Sequence, residues 1–102
     1  MADRKDRMAL LSRYSKHHTF HYEQKPLINL NVEQWAADAL IESYGMQYLY
    51  ELLAYYFEVS EKPSWKYFAY NTEDIIIARE QVKKDLQERA ERRRMAKEWL
   101  NG

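Results

Sequence analysis

Apolar residues recur at three- and four-residue intervals along most of this chain, and that period predicts helices. Met8, Leu11 and Tyr14 fall near one face of a short amphipathic helix over residues 3–16. Residues 17–30 break the rhythm. His17, His18, His21 and Pro26 precede the extended-looking Leu27-Ile28-Asn29-Leu30, so residues 1–31 read as a helix followed by an irregular arm. Asn31 suits a helix N-cap, and Gln34 three residues on resembles a capping box. A helix from Val32 to about Tyr44 should follow. Val32, Trp35, Ala36, Ala39 and Leu40 are its expected core face. Gly45 should stop or turn it, because glycine accepts the backbone a helix end often needs.

The next helix, Met46 to about Val59, is apolar on most sides. One stripe holds Met46, Leu49, Leu53, Tyr56 and Phe57; a second holds Tyr48, Leu52, Tyr55 and Val59. Only Gln47, Glu51 and Glu58 form a clear polar strip. A helix apolar on most sides is buried, in its own protein or against a partner. Two readings stay open: one stripe in the core and one at an interface, or a central helix ringed by its own neighbours.

Ser60-Glu61-Lys62-Pro63 breaks that helix, and Pro63 suits the first position of a short one through Tyr70. Thr72 can cap the last helix, with Glu73 and Asp74 in its first turn. That helix should run to Leu100, packing through Ile75, Ile76, Arg79, Val82, Leu86 and Ala90 before its face fades. The expected fold is a single all-α domain over residues 1–102, with four or five helices. It has an aromatic-rich centre at 32–70 and a long charged C-terminal helix at 72–100. With two glycines and two prolines in 102 residues, an all-β fold with many tight turns is disfavoured.

Composition sharpens the picture at the centre. Ten aromatic residues lie between Tyr44 and Tyr70. A chain this short buries roughly two-thirds of its unfolded surface. Some of these rings should therefore stay at the surface, where clustered aromatics mark docking sites. The formal charge is zero but unevenly spread: net +3 over residues 1–25, −6 over 26–82 and +3 over 83–102. An acidic aromatic centre suits an apolar, basic protein partner better than duplex DNA, whose phosphates favour Lys and Arg. The charged first residues lack an apolar signal core and no run is long enough for a membrane span, so a soluble intracellular protein is expected.

Candidate chemistry is thin. The absence of cysteine excludes disulfides and thiolate metal sites. His17 and His21 could share a metal on a helix, but an exposed polar segment is the simpler reading, and no metal or other cofactor is expected. A helix-turn-helix about Gly45 would send Met46–Phe57 into a DNA groove; that stretch has no Lys or Arg, so sequence-specific DNA readout is not expected. No nucleophilic triad, phosphate loop or metal-hydrolase motif appears, and an enzyme is not expected. Arg89, Arg92, Arg93, Arg94 and Lys97 could touch nucleic acid, or form a solvated face with pairs such as Glu88–Arg92. Trp99-Leu100 reads as a frayed end folded back, or as a short motif for a partner's pocket.

The segment Ile41-Glu42-Ser43-Tyr44-Gly45-Met46-Gln47-Tyr48-Leu49, with the later Pro63, Tyr67 and Phe68, resembles the late-transcription coactivator of T-even-type bacteriophages. The likeness covers roughly residues 35–80. It implies a small helical protein, in the host bacterial cytoplasm, that binds the flap of the β subunit of host RNA polymerase. It also implies engagement of the phage sliding clamp through the C-terminus, which directs polymerase to late promoters. By position, Gly45, Met46, Tyr48 and Leu49 fall on the family's flap-binding region; Leu52, Tyr55 and Val59 extend it along the second stripe. The family's C-terminus is a short acidic-hydrophobic tail. Here it is a basic helix, and Trp99 and Leu100 are the candidates for a clamp contact. Two other classes compete with this reading: a virion or assembly protein that self-associates through the same stripe, and a nucleic-acid accessory factor that uses the basic C-terminal helix.

Overall fold

The computed structural model describes residues 2–101. They form five helices, with no strand among the described residues: α1 (Arg4–Tyr22), α2 (Leu30–Tyr44), α3 (Met46–Val59), α4 (Trp65–Tyr70) and α5 (Thr72–Asn101). The fold is all-α with a long C-terminal helix. The chain divides into two compact units, Met1–Thr72 and Glu73–Gly102. None of the described helices is long and apolar enough to cross a membrane.

In the first unit, α1 runs one and a half turns further than its apolar residues suggest. Leu10, Leu11 and Tyr14 are buried, and His17, His18 and His21 continue their three- and four-residue spacing. The imidazoles pack here as flat rings against aromatic neighbours. His17 stacks on Phe57 with ring centres 5.2 Å apart and planes 19° from parallel. His18 packs on Tyr14 at 5.8 Å, and its Nδ1 lies 2.8 Å from the Gln24 carbonyl. The expected irregular arm is therefore shorter. The helix ends where Glu23 adopts φ +59° and its N–H donates to the Thr19 carbonyl at 2.8 Å.

α2 also starts earlier than expected. Asn29, not Asn31, is the N-cap; its side chain accepts from the Asn31 N–H at 3.2 Å, and Gln34 Nε2 donates to the Asn31 carbonyl. The buried positions are Ala37 and Leu40; Val32, Trp35 and Ala39 are exposed. Glu33 explains the rotation. Its carboxylate accepts from Trp65 Nε1 at 2.8 Å, so a charged residue holds an inward position while Trp35 lies outside under the Arg7 guanidinium, 5.3 Å from its ring.

Gly45 makes the corner between α2 and α3 at φ +82°, where L residues are strained. α4 is capped by Ser64, whose Oγ accepts from the Tyr67 N–H at 3.2 Å; Pro63 precedes the cap and does not open the helix. The loop before α4 is held by tyrosines. Tyr22 Oη donates to the Pro63 carbonyl at 2.7 Å, and Tyr56 Oη accepts from the Ser64 N–H at 2.9 Å.

Thr72 opens α5 without acting as a cap. Its hydroxyl donates backward to the Phe68 carbonyl at 2.6 Å. Glu73 and Asp74 occupy the first turn, where negative charge offsets the helix dipole. Every residue from Gln81 to Asn101 is exposed, including Val82, Leu86 and Ala90, so the packing face expected there is not formed.

Candidate interaction surface

α3 settles the two-stripe question at the level of single residues. Leu49, Leu52 and Leu53 are fully buried, and Tyr56 and Phe57 nearly so. At about 100° per residue these five cover one arc of about 140°. Leu52 therefore belongs to the core, as does Leu49, and neither presents a surface. The interface stripe drawn from sequence must be corrected to its edge. Tyr48 and Tyr55 are half-buried and Val59 is 58% exposed. These three lie within about 40° of one another on the shoulder of the buried arc, over about 16 Å of helix. Met46, half-buried, lies on the far side of α3 and does not join them.

The motif around Gly45 thus divides. Ile41 to Tyr44 close α2, Gly45 turns the corner, and Met46 to Leu49 open α3. A side chain added at Gly45 would meet no atom within 4 Å, so its requirement is conformational, not steric. Tyr44 and Tyr48 stack across the corner with ring centres 6.0 Å apart and planes 28° from parallel. Next to the shoulder runs the outward strip of Gln47, Glu51, Ala54 and Glu58, all exposed. The surface is aromatic with an acidic border.

Four of the ten central aromatics are buried: Tyr56, Phe57, Trp65 and Phe68. The other six are not. Tyr67 and Tyr70, which the sequence did not mark as contacts, are 46% and 61% exposed at α4. Their signal was present: a six-residue helix with four aromatics cannot bury all of them against one core. Tyr67 also stacks on Tyr56, centres 5.9 Å apart and planes 13° from parallel, which links α4's surface to α3.

Two of the shifted groups pack against the core. Burial pushes the Tyr14 phenol up to about 12. His17 is held below its ordinary value, first by burial and then by the Arg13 charge. Among the described residues no three His, Cys, Asp or Glu side chains gather as a metal site. In the second unit, Trp99 and Leu100 are 86% and 87% exposed on a helix that continues through Asn101, so a folded-back end is not what forms. No protein-family model, curated protein or solved structure matches the chain.

Proposed function

We propose that this protein is a phage-encoded transcription accessory factor that binds the β-flap of host bacterial RNA polymerase and redirects the enzyme to late phage promoters. The observation that carries this reading is the uncovered part of the aromatic centre. Tyr48, Tyr55 and Val59 form one partly exposed shoulder bordered by Glu51 and Glu58. An apolar element with basic flanks complements such a surface. The likeness of residues 41–49 to the late-transcription coactivators supports the same choice of partner, and that segment forms the corner leading into the shoulder.

The mechanism is recruitment by burial. A partner's apolar side chains displace water from the Tyr48, Tyr55 and Val59 shoulder, and the flanking carboxylates set orientation and encounter rate. No bond is made or broken. Trp99 and Leu100 are the residues through which a sliding clamp would be engaged. The test is co-elution of the full chain with isolated β-flap domain on a sizing column. Wild type should co-elute, and Tyr55→Ala/Val59→Ser, with its helical spectrum intact, should not. A double variant that co-elutes as wild type does would remove the shoulder as the contact.

A further inference from the structure

A groove of about 620 Å³ lies in the first unit, where the chain leaves α1 and returns to α2. It shares no residue with the shoulder of α3. One wall is a single face of α1. Over residues 12–20, Ser12, Ser15, Lys16, Thr19 and Phe20 fall within an arc of about 140° at the helical repeat, and all of them line the groove. The other wall is the returning chain, with Lys25, Pro26, Ile28 and Leu30. The groove's size is that of ligand-binding clefts, roughly 300–1,000 Å³. Its apolar surface is only partly covered: Pro26 and Ile28 are half-buried, while Leu30 is 46% exposed and Phe20 is 90% exposed.

Charge in the groove has one sign. Lys16 and Lys25 are exposed, and among the described residues no carboxylate lines the groove or pairs with either lysine. Ser12, Ser15 and Thr19 add only neutral hydroxyls. Glu23, the carboxylate nearest to Lys25 in sequence, caps the end of α1 and lies outside the lining. Two like charges beside a partly covered apolar cleft complement carboxylates presented next to an apolar side chain. We propose that this groove takes an acidic segment of a partner protein, with one apolar side chain on Pro26 and Ile28 and its carboxylates against Lys16 and Lys25. The exposed Trp99-Leu100 of a second copy is a poor occupant, because residues 83–102 carry net +3 and the two lysines repel it. An anionic lipid surface would want a continuous apolar stripe beside the cations. Over residues 12–20 this arc of α1 has Phe20 as its one apolar residue, and a bilayer cannot enter the cleft to reach Ile28. The shoulder of α3 is bordered by Glu51 and Glu58 and suits a partner of the opposite charge. The groove therefore stands apart from the polymerase contact, and its occupancy is measured without polymerase.

The test is amide NMR of the isotope-labelled full chain, titrated with two sets of short peptides. One set carries a single Leu, Phe or Trp among Asp and Glu; the other has Lys in place of each acid. Acidic peptides should shift the amides of residues 12–20 and 25–30 saturably, and bind at least about tenfold more tightly than their basic counterparts at low salt. The double variant Lys16→Glu/Lys25→Glu changes only exposed positions and keeps a good helix former in α1, and circular dichroism would verify its fold. It should reverse the preference and favour the basic set. Equal binding of the two sets would overturn the proposal, as would a charge-reversed variant that still favours the acidic one. No response of these amides to any acidic peptide would do the same. So would a response to phosphatidylserine vesicles alone, which would assign the face to a membrane.

Discussion

Glu23 turns the chain at φ +59° to end α1. A left-handed backbone costs an L residue about 1–2 kcal/mol, and glycine avoids that cost while adding unfolded-state entropy. Glu23→Gly should therefore stabilise the first unit by about 0.5–1 kcal/mol, read from thermal melts. His17 makes a second residue-scale case. Burial against Phe57 and the nearby Arg13 charge depress its pKa, so the folded state disfavours the imidazolium. The sign follows from linkage. The stability is present above the unfolded value of about 6.5 and is lost as pH falls through the lower folded value. Acidification from neutral pH should lower the melting temperature, and His17→Phe should flatten that dependence. A His17→Phe profile as steep as that of wild type would contradict the assignment.

At the scale of elements, α3 separates core from surface. Leu52→Ala leaves a cavity in a fully buried site and should cost about 2–5 kcal/mol of stability. Val59→Ser, on the exposed shoulder, should cost under about 0.5 kcal/mol. Denaturant titrations of the two variants decide this; equal effects would contradict the placement of the arc. The same helix marks what the sequence could reveal. The existence of α3, its bounds and the Gly45 corner were legible, because strong periodicity and a punctuating glycine are local signals. Which edge of an almost wholly apolar helix is covered depends on neighbours from α1, so Leu52 could not be assigned. Where polar residue types do apolar work, the pattern failed outright. The histidines of α1 hid its last six residues, and Glu33, bonded to Trp65, turned the inferred face of α2 outward. The exposed charge of α5 was legible in composition.

For the whole molecule, the governing fact is a surplus of aromatic surface on a small unit. Buried rings knit α1, α3 and α4 together: Tyr14 packs on both Phe57 and Trp65, with centres 5.5 and 5.4 Å apart. Tyr48, Tyr55, Tyr67 and Tyr70 are not among the buried residues of that core. On the proposed reading, the aromatic side chains left at the surface beside carboxylates serve binding. The account therefore stands or falls on a partner for the shoulder. Calorimetric titration of the full chain into isolated host β-flap domain, at several temperatures, tests it most directly. Saturable binding with a negative heat-capacity change, weakened by about 2 kcal/mol or more in Tyr55→Ala, is the predicted result. No heat and no complex with flap from the cognate host would contradict it.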